Sequence, residues 1–249
     1  MFDVVASTYN KKVQAYLTSN IALNDERKCA NFPVHGFHHL DTEPDMLMKL
    51  QNEWSDFEKY IQAMSSKYRV RTKKVLSQSA CIEKRKLSVN DVKLYKNEID
   101  VLFNNVMKKA TFNLAELDTD FFIENFVQLP HIFEMYGYFI DGKMCGFSSL
   151  YICKNLIHVH YIGLDYETNH TYKLYNRMLL DVVQLAIQQN IHQIHFGRTA
   201  TEIKSTIGAK PVLLNAYLKI NNRFYNRIAP YILKRIKAPA FTIRNPFKD

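Results

Sequence analysis

FEMYGYFI (Phe133–Ile140), Asp141-Gly142, KMCGFSSLYIC (Lys143–Cys153), Lys154-Asn155 and LIHVHYIGL (Leu156–Leu164) follow one another without interruption, and this stretch decides the fold. Each of the three longer runs is rich in aromatic and β-branched residues, which suit a pleated, half-buried surface. Asp141-Gly142 is a type I′ hairpin signal, because both central positions of that turn need φ > 0. Lys154-Asn155 reads as a second turn. Three strands joined in this way make an antiparallel meander.

Helical periodicity appears on both sides of the meander. Downstream, 172–189 is predicted to be a long helix, with Leu174, Met178, Val182, Leu185 and Ala186 on one face. A strand at 191–196, a short helix at 200–207, a strand at 211–220 and a basic helix at 222–236, interrupted near Pro230, complete the chain. Upstream, 81–88 reads as a strand and 90–109 as a helix with the stripe Val92, Tyr95, Ile99, Leu102, Phe103 and Val106. A short helix at 118–128 stops before Pro130. Earlier still come a strand at 46–50, a helix at 54–64 with Trp54, Phe57, Tyr60, Ile61 and Met64 on one stripe, and a strongly basic helix capped by Ser65 or Ser66. The first 45 residues are weakly patterned, and 31–44 reads as loop. This order predicts an α+β fold with a mixed, mostly antiparallel sheet flanked by helices. It divides into an N-terminal extension at 1–80 and a main domain at 81–249.

The chain has 249 residues, 47% hydrophobic and 13% aromatic, enough for a large core, and a net charge of +9. The charge is uneven. Between positions 59 and 109 thirteen Lys and Arg face four acids, and from 219 to 249 eight face one. A basic surface favours polyanions: a nucleotide cofactor, tRNA, a nucleotide-linked sugar or an anionic membrane surface. Cys29, Cys81, Cys145 and Cys153 show no Cys-x-x-Cys pairing, so neither a disulfide framework nor a metal site is expected. His35, His38 and His39 lack supporting carboxylate or cysteine ligands and read as surface loop. No signal-like or membrane-spanning stretch is visible, and a cytoplasmic protein is expected.

One segment sharpens the reading: His195-Phe-Gly197-Arg198-Thr199-Ala-Thr-Glu-Ile203-Lys204-Ser-Thr-Ile207-Gly208-Ala-Lys-Pro211. A strand runs into a glycine turn and then a short helix start, where free amides, Arg198 and Lys204 attract an anion or an oxyanion. The bland alternative is that Gly197 and Gly208 are turn and cap glycines beside solvated charges. The element order and this segment resemble the GNAT (Gcn5-related N-acetyltransferase) superfamily over roughly 81–221, on the FemAB-related, BioF2-like branch. The Trp54…Tyr60 helix and Ser66-Lys67-Tyr68-Arg69 support it. The resemblance implies an acyltransferase fold, an acyl-CoA or aminoacyl-tRNA donor substrate with no tightly bound cofactor, and an amine acceptor. It implies donor binding by Gly197, Arg198, Thr199, Lys204 and Gly208, with Lys204 stabilising negative charge.

The family's glycine-rich pyrophosphate loop has no counterpart here. The junction Leu164-Asp-Tyr-Glu-Thr-Asn-His-Thr-Tyr-Lys173 contains no glycine and two acids. FemAB-type enzymes also lack that loop and use two GNAT-like units, which implies that the first unit is missing or cut down here. The family's base lies near the meander's third strand, which makes His160 or His158 a candidate beside the structural alternative. By period two these histidines share a face and Tyr161 lies opposite. Asp165 is a rival base or a helix cap. Tyr172 and Tyr175 line the cleft or pack, and His192 and His195 are weak candidates. The basic helix around 67–74 grips a polyanion or is simply solvated. The C-terminal helix, with Arg223, Arg227, Lys234, Arg235 and Lys237, touches a membrane surface or packs its apolar face, Phe224, Ile228, Ile232 and Ile236, on the domain. The functional alternatives are a non-catalytic binding module for a polyanion or protein partner and, more weakly, an RNA-binding protein.

Overall fold

A computed structural model describes residues 14–22, 32–109, 117–235 and 240–247. Cys29, Ile236 and Lys237 lie outside them. The chain forms two compact units. The smaller joins Met1–Asp45 to Pro211–Thr242, and the larger joins Met46–Lys210 to Ile243–Asp249. The division falls near 45 and 210, so the expected boundary at 80 lies inside the larger unit.

The larger unit carries a seven-stranded sheet. Its strands are β3 (Asp45–Lys49), β4 (Glu83–Leu87), β5 (Phe133–Ile140), β6 (Lys143–Cys153), β7 (Leu156–Leu164), β8 (Gln193–His195) and β9 (Lys210–Val212), in the order β4-β5-β6-β7-β8-β3-β9. β4 through β7 are antiparallel, β7 and β8 are parallel, and β3 and β8 are antiparallel. The meander thus forms as expected. Asp141 and Gly142 have φ of 49° and 77°, the pair of positive values a type I′ turn requires.

Period two separates the two cores. Phe133, Met135 and Phe139 of β5 join Val92, Ile99, Leu102, Phe103, Phe122 and Phe147 on one face. Tyr136 and Tyr138 join Leu174, Met178, Val182 and Ala186 on the other. Because both faces are covered, β6 is buried continuously from Met144 to Leu150, as such a central strand requires.

Helices flank this sheet: α1 (Phe57–Ala63), α2 (Ser66–Gln78), α3 (Val89–Leu94), α4 (Lys96–Met107), α5 (Thr119–Gln128), α6 (Tyr166–Tyr172), α7 (Leu174–Gln188) and α8 (Thr201–Ser205). The single helix expected at 90–109 is two, broken at Tyr95. A Ser88–Asp91 capping box starts the first of them. The glycine-free junction at 164–173 contains α6, capped by Asp165. Lys173, in the left-handed conformation at φ 56°, ends α6 and turns the chain into α7. Phe247 returns to this unit, packing on Trp54 and Tyr60 and bridging Met64.

In the smaller unit, β10 (Leu214–Ile220) lies between β1 (Ala15–Ala22) and β2 (His38–Leu40), antiparallel to both. The expected loop at 31–44 therefore includes a strand, with His38 and His39 paired opposite Leu218 and Tyr217. α9 (Arg223–Leu233) completes the unit and carries Pro230 inside it. Asn222 caps it by accepting from the amides of Phe224 and Tyr225 at 3.0 and 3.2 Å. Contrary to expectation, Phe224 and Ile232 are exposed, and Ala229 and Leu233 are the buried residues.

Candidate functional site

β7 and β8 pair through Leu156↔Gln193, Ile157↔Ile194 and His158↔His195, and then part. β7 continues to Leu164, while the chain after β8 follows β3 instead. The Phe196 amide donates to the Met46 carbonyl at 2.8 Å, and the Met46 amide donates to the Gly197 carbonyl at 3.2 Å. Gly197 turns with φ 73°, and a Cβ placed there would stand 4.0 Å from the Val159 carbonyl oxygen. The parting of the two strands leaves a splay, narrow at Val159, between the outer half of β7 and the Gly197 turn, and this splay is the candidate cleft.

A β-bulge sits on the β7 side of this cleft. Ser148 pairs with Ile162 but Leu150 with Val159, so β7 carries one residue more than β6 across that interval. A bulge re-aims side chains and interrupts pairing. Here it brings His160 and Tyr161 to one side, their ring centroids 4.2 Å apart and both against Phe121. The strict period-two expectation for Tyr161 is overturned. Ser149 stitches the bulge: its Oγ accepts from the Tyr161 amide at 3.0 Å and donates to the Tyr161 carbonyl at 3.2 Å. Tyr151 lies 4.8 Å from His160 between centroids, and His158 lies 6.4 Å away.

His160 Nδ1 is buried without a hydrogen-bond partner among the described residues. Burial, reinforced by His158, pushes the pKa of His160 down to about 4, so its imidazole is neutral in the physiological range. As pH falls from about 6.5 to about 4, the unfolded chain takes up a proton here and the folded chain does not. Folding stability is expected to fall by about 1–2 kcal/mol over that window, a value discounted because the ring is only partly shielded from solvent. Urea titrations should show the loss in the native protein and a shallower one in His160→Asn.

The segment after β8 is organised by Lys204, which is only 4% exposed. Gly197, Thr199 and Ala200 all have positive φ, at 73°, 66° and 47°. Two non-glycine residues in that region are strained and need support from their surroundings. The Lys204 ammonium donates to the carbonyls of Gly197 at 3.1 Å and Arg198 at 2.7 Å. Lys204 therefore braces the turn from within, and its charge is directed at loop carbonyls instead of the open cleft as expected. The side chains of Arg198 and Thr199 are exposed. Gly208 has φ 103°, and an added Cβ would collide with the Phe247 ring, so close packing fixes this glycine. Buried Tyr60 donates to the Ile207 carbonyl at 2.8 Å, and the Arg244 amide donates to Ser205 Oγ at 3.0 Å, which clamps α8 from two sides. Gly197, Arg198, Thr199, Lys204 and Gly208 thus form one local structure, with His160 on the strand across the cleft.

Asp165 begins α6. Its carboxylate accepts from the amides of Glu167 at 3.4 Å and Thr168 at 3.2 Å, and from the Thr168 hydroxyl. Burial alone pushes its pKa up. The hydrogen bonds from Thr168 and Glu167, with the charge of Lys143, outweigh that and hold the carboxyl below its usual range. The first amides of α6 are consequently occupied by a carboxylate. A phosphate placed there would meet the carboxylates of Asp165 and Glu167.

Cations gather elsewhere. A groove of about 400 Å³ runs between α2, the Lys173 turn and α8. Tyr68, Arg71, Val75 and Gln78 recur on one face of α2 at spacings of three and four, and Lys74 joins them. Lys173 and Asn176 line a second side, Ile203, Thr206 and Ile207 a third, and none of the lining residues is acidic. Arg71 and Lys74 have no ion pair among the described residues, whereas Lys73 pairs with Glu58 at 3.5 Å and Arg69 donates to the carbonyls of Gln62 and Met64. The sequence marks α2 as basic, but only the packing of that face shows which cations converge. A larger groove, of about 800 Å³, lies between α4, the Asp141-Gly142 hairpin and α6. Glu98, Asp141, Asp165 and Glu167 face Lys143 there, which makes it acidic. His192 is exposed, and Tyr175 is half-buried beside the α7 core.

No protein-family model and no curated protein matches the sequence. Solved structures share the fold. FemX aligns with a TM-score of 0.57 at 10% identity, over 91% of this chain and 77% of that one. The C-terminal domain of a putative lysylphosphatidylglycerol synthetase from Agrobacterium fabrum aligns at 0.56 and 11% identity, over 94% and 75%. A GCN5-related N-acetyltransferase from Sphaerobacter thermophilus aligns at 0.54 and 9%, over 87% of this chain and 64% of that one. The fold is the GNAT-like one that the meander and the parted parallel strands describe. Among the described residues no helix is long and apolar enough to cross a membrane.

Proposed function

We propose that this chain moves an acyl or aminoacyl group from a CoA or tRNA donor to an amine acceptor, in cell-wall or envelope precursor metabolism. The observation that carries this reading is the parting of β7 and β8 at His158 and His195 beside a bulge that carries half-buried His160, in a fold shared with FemX. The two donors have a common chemistry: an acyl ester or thioester attached to a phosphorylated adenosine. In this reading the acyl carbon enters the cleft, and the phosphates lie along Arg71, Lys74 and Lys173 instead of on the capped end of α6. The amine nitrogen bonds to the acyl carbon, and the C–S or C–O bond to the donor breaks. Backbone amides on the unpaired edge of β7 offer hydrogen bonds to the oxyanion that forms. The proton lost by the amine passes through neutral His160 to the leaving group. Lys204 acts by holding the Gly197 turn.

Donor arms distinguish the sources: acetyl-CoA and longer acyl-CoAs against aminoacyl-tRNA, read first as thermal stabilisation and then as turnover with amine acceptors. Replacing Arg71 or Lys74 by Ala should raise the donor KM about tenfold each, the value of one charge-assisted contact, and leave kcat nearly unchanged. A donor KM that ignores both replacements would remove the phosphate assignment. A second reading, a non-catalytic module that binds a polyanion or protein partner, is favoured by the occupied amides of α6. Stabilisation by tRNA with no turnover of any donor supports it.

A further inference from the structure

α9 places its large apolar side chains outward. Phe224 is 69% exposed, Tyr225 56%, Tyr231 75% and Ile232 57%. The helix is held to its own unit mainly by small or polar groups. Ala229 and Leu233 are buried, Asn226 Oδ1 accepts from the Ile220 amide at 2.9 Å, and Asn226 Nδ2 donates to the Gly36 carbonyl at 3.0 Å. An ordinary surface helix buries its apolar stripe. Here, at 100° per residue, Tyr231, Phe224, Ile228, Ile232 and Tyr225 span an outward arc of about 120°. Arg223, Lys234 and Arg227 form a basic arc directly beside it, and Arg235 lies within the apolar one. No Asp or Glu occurs from Pro211 to Arg235.

We propose that α9 is an interfacial docking helix that seats this protein on an anionic phospholipid bilayer. A bilayer surface satisfies both arcs at once. The aromatic and aliphatic groups enter the headgroup–acyl boundary, and the arginines and lysines extend to lipid phosphates. The juxtaposed cations supply the charge complementarity. A second copy and a nucleic acid each satisfy one arc only. A second copy, packed face to face, sets like charges opposite one another. A nucleic acid uses the cations but leaves Ile232 and Ile228 against water. The proposal does not depend on the transferase reading, because membrane partition is measured without turnover.

The test is flotation of the full-length protein with vesicles of phosphatidylcholine alone and of phosphatidylcholine containing roughly 30 mol% phosphatidylglycerol, over a salt series. Binding is expected on the anionic vesicles and not on the neutral ones, and should weaken as salt rises. The double variant Phe224→Ser/Tyr231→Ser, both exposed sites whose loss leaves the melting temperature near that of the native chain, should lower the partition at least about tenfold. Arg223→Gln/Arg227→Gln should abolish the preference for phosphatidylglycerol. Equal partition to both vesicles, no partition, or retained partition in the serine variant overturns the proposal. A concentration-dependent dimer that the serine variant dissolves would assign the face to a second copy, and displacement of bound protein by RNA with the serine variant unaffected would assign it to nucleic acid. Either result overturns it too.

Discussion

Lys204→Met is expected to lower the unfolding free energy by about 2–3 kcal/mol, although methionine keeps most of the buried volume. Removing the ammonium relieves its desolvation but strands the Arg198 carbonyl, for which it is the hydrogen-bond donor at 2.7 Å. The Gly197 carbonyl keeps the Met46 amide and loses its second donor. Thr199 and Ala200 then hold positive φ with less support, at a further cost. Urea denaturation measures the change. A loss below about 0.5 kcal/mol would mean that the Lys204 contacts are incidental. The variant also tests the site, because the turn it loosens forms one wall of the cleft. If transfer depends on that wall, kcat falls at temperatures where the variant is still folded, and His160, on the opposite strand, keeps its pH signature.

Gly163→Ala is expected to cost about 3 kcal/mol or more, the upper range of overpacking effects. A Cβ at this position would lie inside the van der Waals surface of the Phe147 ring and 2.9 Å from Leu102 Cβ. Phe147 is wholly buried against Phe122 and has no solvent side to retreat to. Gly163 is therefore the point where α4 closes onto β7, directly behind the bulge. Gly142→Ala is the control. Nothing lies within 4 Å of its added Cβ, so only the positive φ is penalised, by about 1 kcal/mol. Melting curves of the two variants should separate clearly. Equal losses would mean that the sheet yields to the extra methyl and the packing around Phe147 is looser than it looks.

Much of this architecture is legible in the sequence because it rests on local rules. The meander strands, their Asp141-Gly142 turn and the buried face of α7 follow from period and turn chemistry. The features that escaped have physical reasons. α6 has no buried residue, so Tyr166–Tyr172 carries no apolar period, and its signal is the Asp165 cap. β2 is three residues long and polar, and its pairing with β10 is set some 180 positions away. Tyr95 breaks a helix without glycine or proline. The bulge at His160 obeys no spacing rule, so period two put Tyr161 on the wrong side. Whether Lys204 points at carbonyls or at solvent is decided by the fold of the Gly197 turn, which spacing does not reveal. The cations of α2 were visible as charge, and their convergence with Lys173 and α8 was not.

The smaller unit has a central strand supplied by the far end of the chain. Ala15 pairs with Ile220, 205 positions later, and His38 with Leu218. During synthesis β1 and β2 must therefore wait for their ladder partner until β10, some 180 to 205 positions later, has left the ribosome. The larger unit receives Phe247 later still. Contacts so distant are slow to close, because the entropy of the intervening loop is lost before any pairing compensates for it. The meander and α7 can condense first, β10 then completes the smaller unit, and Phe247 closes onto Trp54 of the larger unit last.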